Sequence, residues 1–183
     1  MRLFWAKTYE GTSLSDLTSE MGINAPSLYA AFGSKQALFD EAIAHYSANY
    51  HNGIWTGLVE TPSIFDAVTV FLKKSAEAFS IPDQPRGCMI VLGAQHSCTG
   101  DNAVQEGLRE IRMSNLETVR ARFERAKAEG ELGEEFDTQG AATMLLSMQA
   151  GMTILARDGT GREELLAAAD TYAQALRALA GRD

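Results

Sequence analysis

The stretch that most restricts the fold of this chain is GTSLSDLTSEMGINAPSLYAAFGSKQALF, from Gly11 to Phe39. Its punctuation is dense. Ser13 with Asp16 three residues later fits a capping box, so a helix starts at Leu14. Leu14, Leu17 and Met21 fall on one face of that helix. Gly22 suits the stop, because the residue after a helix often needs a positive φ. Asn24 is placed to cap the next helix, and Pro26 is tolerated in a first turn where no intrahelical N–H is needed. Gly33 ends that second helix, and Ser34 caps a third running to about Tyr50. Two short helices across a tight turn form a helix-turn-helix, with Leu14, Leu17, Met21, Ile23, Leu28 and Phe32 as a miniature core. Such a core is too small to stand alone and should lean on the helix after Ser34. The second helix of the pair, Ala25 to Phe32, would enter a major groove by its N-terminal end. Asn24, Ala25, Pro26 and Ser27 lie at that end. Tyr29, Ala30 and Lys35 are placed to meet phosphates or groove edges.

The rest of the chain is helical almost throughout, which predicts an all-α protein: a three-helix head over 1–50 and a larger helical body over 51–183. Thr61-Pro62-Ser63 is the next break. Ile64 to Ser80 is amphipathic through Phe65, Val68, Phe71, Leu72 and Phe79. Pro82, Pro85 and Gly87 mark a loop, and Cys88 to Ser97 reads as an apolar helix ending at Thr99-Gly100. Asn102 to Gly130 is long and charged, with Leu108, Ile111, Leu116, Val119 and Phe123 on one side. Asp137 caps an apolar helix to Arg157. A turn at Asp158 to Gly161 leads to an Ala/Leu helix from Arg162 to Ala180.

Charge and composition remove several function classes. The 183 residues carry a formal charge of −8, which argues against binding nucleic acid over the whole surface. Even the head is not basic: Arg2, Lys7 and Lys35 stand against Glu10, Asp16, Glu20, Asp40 and Glu41, leaving −2. Neither a membrane-spanning apolar run nor a secretory signal is visible, so a cytoplasmic protein is expected. Cys88 and Cys98 make no disulfide framework, and His96 near Cys98 lacks the further ligands of a zinc site, so no metal is expected. No catalytic triad, paired carboxylates or glycine-rich phosphate loop stands out, and neither an enzyme nor a cofactor is expected.

The segment LFWAKTYEGTSLSDLTSEMGINAPSLYAAFGSKQALF resembles the DNA-binding domain of the TetR (tetracycline-repressor-like) transcriptional regulators. The resemblance rests on the Gly11-Thr12-Ser13 entry, Met21-Gly22-Ile23, Leu28-Tyr29 and Phe32-Gly33-Ser34-Lys35 followed by Leu38-Phe39. PRGCMIV, Pro85 to Val91, is similar to a loop and helix start in one branch of that family. The resemblance implies a homodimer on a dyad-related double-stranded operator and a C-terminal body that binds a small effector. It also implies phosphate contacts from Lys35 and Tyr29, and from the hydroxyls and helix-end N–H groups at Thr12 and Ser13. Thr18 stands where the family often has Ala. Ala25, Ala30 and Ala31 replace frequent polar residues, so base reading would use few hydrogen bonds, with Ala30 able to touch a thymine methyl. Members normally carry a basic arm and a full first helix before the LF motif. Here only Met1-Arg2 precede Leu3, which reads either as a trimmed start or as a natural short form with weakened DNA binding.

Effector-pocket candidates are Trp55, Phe71, Phe79, Met89, Leu92, His96, Met113, Phe123, Met144 and Met148, each of which is also readable as plain core. The helices Thr138 to Ala156 and Glu164 to Leu179 are candidates for an isologous four-helix dimer interface. Ala141, Leu145, Gln149, Met152, Leu155, Leu165, Tyr172 and Leu176 are the residues expected there; the alternative is burial within one chain. The function expected is a DNA-binding transcriptional regulator, a repressor released from its operator by a small apolar effector. The alternative is a dimeric small-molecule sensor that no longer binds DNA.

Overall fold

The computed structural model describes residues 1–94 and 103–181. The elements are α1 (Arg2–Lys7), α2 (Leu14–Met21), α3 (Ala25–Phe32), α4 (Lys35–Tyr46), a π turn (Ser47–His51), α5 (Asn52–Glu60), α6 (Ile64–Phe79), α7 (Met89–Leu92), α8 (Ala103–Ala128), α9 (Thr138–Asp158) and α10 (Arg162–Leu179). Among the described residues there is no β-strand, and no helix is long and apolar enough to cross a membrane. The all-α architecture follows from the capping pattern and the scarcity of strand-like alternation.

The chain divides into two compact units. The first joins Met1–Tyr50 to Cys88–Arg112; the second joins His51–Gly87 to Met113–Asp183. In the first unit, Phe4 and Trp5 of α1 are buried with Leu17, Leu28, Leu38, Phe39 and Tyr46. Their rings lock edge to face: Phe4 on Phe39 at 5.1 Å and Trp5 on Tyr46 at 4.9 Å between centroids. The head's core therefore differs from the expected one. Met21 and Ile23 are 39% and 38% exposed, while Leu14 and Phe32 are only half-buried. Aromatic side chains from α1 and α4 supply more apolar area than the short α2 and α3 can.

Two helix boundaries also differ. The helix after Ser34 stops at Tyr46 and passes through the π turn, in which Tyr50 still reaches Trp5 at 5.3 Å while His51 is buried. The following α5 was not legible at all. The apolar helix expected from Cys88 is seen as the four residues of α7, after which the Gly93 carbonyl accepts from the Tyr9 N–H at 2.7 Å. His96, Cys98 and the Thr99-Gly100 turn lie outside the described residues.

In the second unit α6 is the central helix, packed by α5, α9 and α10. Gly57 lets α5 approach closely: a Cβ there would sit 2.7 Å from a Val70 methyl. Val68, Phe71, Leu72 and Phe79 of α6 are fully buried. Within this core, Gln149 of α9 donates to the Ser75 hydroxyl at 2.8 Å, and Ser75 donates to the Phe71 carbonyl. Arg122, 3% exposed, donates to the Thr61 and Pro62 carbonyls and ties α8 to the α5–α6 corner.

Candidate nucleic-acid interface

The helix-turn-helix is built by local chemistry. The Ser13 hydroxyl accepts from the Asp16 N–H at 3.0 Å, and the Ser13 N–H donates to the Asp16 carboxylate at 2.8 Å. This is the expected capping box. Gly22 (φ 65°) turns the chain out of α2, and its amide satisfies the Ser19 and Thr18 carbonyls. The Asn24 side chain then accepts from the Ser27 N–H at 2.9 Å, with Pro26 in the first turn of α3. The Ser34 hydroxyl caps α4 by accepting from the Ala37 N–H at 3.0 Å.

On α3, Leu28 is wholly buried, whereas Asn24, Pro26, Ser27, Tyr29 and Ala30 are exposed and Ala25 is half-buried. At about 100° per residue, Pro26 and Ala30 both lie about 160° from Leu28 and define the outermost line of the helix. Ser27 and Tyr29 flank it on either side.

Three of the four expected phosphate contacts fare differently from one another, while Tyr29 is exposed on α3. Thr12 is fully buried, and its hydroxyl donates to the Thr8 carbonyl at 2.7 Å; it cannot reach a phosphate, which corrects the expectation for that residue. Ser13 has both its hydroxyl and its amide turned to Asp16, so its donors are also taken. Asp16 is itself paired with Lys7 at 3.0 Å. The hydrogen bonds from the Ser13 backbone and Lys7 hold the Asp16 carboxyl well below the usual range, at about 2. Lys35 is seated on Tyr9, in the segment between α1 and α2. Its ammonium donates to the Tyr9 carbonyl at 2.6 Å and lies 4.2 Å from the centre of the Tyr9 ring. Partial burial draws its pKa down. An ammonium has three donors, so this anchor fixes its position without exhausting it. Tyr9 was missed by sequence reasoning; a contact 26 residues away along the chain leaves no local signal.

The expected effector-pocket residues are not brought together as one set. Phe71, Phe79 and Phe123 are fully buried in the second unit, and Trp55 meets Phe71 edge to face at 5.2 Å. Met148 is half-buried. Met89 and Leu92 belong to the first unit. Met113 and Met144 are 48% and 39% exposed, so neither is a core-lining residue within the chain. An open pocket of about 290 Å³ lies elsewhere, in the first unit, between Phe39, Asp40 and Ile43 of α4 and Val104, Leu108 and Ile111 of α8.

The residues expected at a dimer interface need a similar correction. Ala141, Leu145, Gln149, Met152, Leu165 and Leu176 are buried within the chain. Apolar content on α9 and α10 does not distinguish the face that α6 covers from the face left outward. The faces left outward carry Thr143, Met144, Ser147, Ile154 and Leu155 on α9, and Ala167, Thr171, Ala175 and Ala178 on α10. Leu155 is half exposed and Tyr172 partly so.

Comparison with known proteins agrees with this geometry. The family model for bacterial regulatory proteins of the tetR family matches residues 1–42. A structure of the TetR family transcriptional regulator CifR, a cysteine mutant complexed with 26-bp double-strand operator DNA, superposes with a TM-score of 0.89. It is 36% identical over 95% of this chain and 91% of that one. The chain belongs to the TetR family of transcriptional regulators. A second TetR-family structure, from Rhodococcus sp. RHA1, is 39% identical over 96% of this chain and 93% of that one, with a TM-score of 0.66. The HTH-type transcriptional repressor ComR of Escherichia coli (strain K12) is 29% identical over 93% of this chain and 82% of its own length. These TetR-family relatives are regulators, not enzymes.

Proposed function

We propose that this TetR-family regulator is a dimeric repressor that binds a dyad-related operator and is released by a small apolar effector. The observation that carries the proposal is α3: a capped helix with its inner face buried and its N-terminal half exposed, held on α2 and α4. That is the form in which a recognition helix enters a major groove. ComR is named a repressor, and the CifR relative is bound to operator DNA, which supports the same reading here. In this reading residues 1–50 are the reading head and residues 51–183 the body, of which Cys88–Arg112 packs in one unit with the head. Asn24, Ala25, Pro26, Ser27, Tyr29 and Ala30 face the groove, and Lys35 holds a phosphate from its seat on Tyr9. Because Thr12 and Ser13 are engaged internally, backbone contact near α2 falls to the N–H groups of Leu14 and Ser15, which have no intrahelical acceptor.

The dimer face is the outward stripe of α9 and α10. Met144, Ile154 and Leu155 supply apolar area, and Ser147, Ala167, Thr171 and Ala178 permit close helix approach. The effector site is the aromatic centre of the second unit, where Trp55 and Phe71 adjoin the Ser75–Gln149 pair. One buried polar pair in an apolar setting is the composition of a small-molecule site. An effector acts by favouring a body conformation in which the two heads no longer match the operator spacing.

Footprinting over the DNA upstream of the gene, combined with transcription in vitro from the same template, tests this proposal. A protected dyad and reduced transcript are expected. Protection with unchanged or raised transcript would refute repression, and no protection would favour a DNA-silent sensor.

A further inference from the structure

The reading surface has an unusual chemical poverty. Between Lys7 and Lys35 there is no Lys or Arg, and the only charges are the acidic Glu10, Asp16 and Glu20. Guanine is recognised in the major groove chiefly by Arg or Lys spanning O6 and N7, and adenine by Asn or Gln bonding both N6 and N7. The first pair is absent from α2 and α3. The second is weakened, because the Asn24 carboxamide oxygen is turned back to the Ser27 N–H at 2.9 Å. The outermost line of α3 is the Pro26 ring and the Ala30 methyl, neither of which has a hydrogen-bonding side chain. Ser27 beside them carries one rotating hydroxyl, which fits any base.

Resting on the DNA-reading function above, we infer that the operator is selected by thymine 5-methyl groups packed against Pro26 and Ala30. The major groove offers one apolar feature, the C5 methyl of thymine, and an apolar ridge desolvates it without leaving a side-chain donor or acceptor unpaired. Ala30 and Pro26 are thus specificity-determining residues. The core half-site is rich in A·T pairs whose thymines face α3.

The test starts from duplexes selected by the full 183-residue chain from a random pool at low salt. In the tightest duplex, each thymine is replaced in turn by deoxyuridine, which removes only the methyl, and each guanine by 7-deazaguanine, which removes N7. At one or more positions per half-site, deoxyuridine is expected to weaken binding about fourfold, the worth of one buried methyl-sized group. The 7-deazaguanine duplexes should bind as the parent does. Ala30→Gly should bind thymine and uracil duplexes equally at one of those positions and still discriminate at the others; Ala30→Ser, which favours a helix more than glycine does, replaces it if the glycine variant unfolds. Indifference to deoxyuridine at every position, or a dominant loss with 7-deazaguanine, overturns the inference while leaving DNA binding intact. Selection of no duplex at all overturns the DNA-reading function itself.

Discussion

Asp16 carries much of the local logic of the head. It completes the cap on Ser13, pairs with Lys7 and is held at a pKa of about 2. A carboxyl whose folded pKa is depressed stabilises the fold above its unfolded value, about 4, and that contribution is lost as pH falls through the folded value. The head should therefore lose the Asp16 contribution as pH falls from about 4 towards 2. An NMR pH titration of the Asp16 carboxyl checks this. A midpoint near 2 is expected, and Lys7→Met should move it upward; a midpoint near 4 in the parent chain would contradict the capping account. Lys35 teaches the complementary point. Its lysine identity was legible, but its seat on the Tyr9 carbonyl and ring was not, because the two residues lie 26 positions apart and no local pattern links them.

At the scale of elements, the legible parts are those set by neighbours in sequence. The starts of α2, α3 and α4 at Ser13, Asn24 and Ser34 were readable because each cap is a contact over three residues. The π turn and the short α7 were not, since Trp5 meets Tyr46 and Tyr50, and Tyr9 takes the Gly93 carbonyl, across distances in sequence that no local pattern reports. The same divide separates two predicted mutational effects. Asn24→Ala removes one cap and should cost about 1 kcal/mol of head stability. Leu28→Ala empties a fully buried site and should cost about 2–5 kcal/mol. Thermal melts of the two variants, followed by circular dichroism, rank them; an Asn24 effect as large as the Leu28 effect would mean that the cap does more than close α3.

For the whole molecule, the outward stripe of α9 and α10 is the claim with the clearest consequence. Ile154→Glu places a charge on a half-exposed position and should yield a folded monomer. Leu145→Ala lies on the opposite, buried side and should lower the melting temperature while leaving a dimer. Sedimentation equilibrium separates the outcomes, and a dimeric Ile154→Glu protein would move the interface elsewhere. Sequence alone had marked the buried side of these helices, because apolar content reports burial without saying by whom.

The most direct test of the central claim, that an almost uncharged recognition helix reads DNA, is an equilibrium titration of this chain against its own upstream duplex over a range of salt. Three cations per head, Arg2, Lys7 and Lys35, limit a dimer to six phosphate neutralisations from its heads. Saturable binding that exceeds binding to an unrelated duplex is predicted, with a log–log salt slope no steeper than about −5. Equal affinity for the two duplexes, or no binding at low salt, would contradict the account.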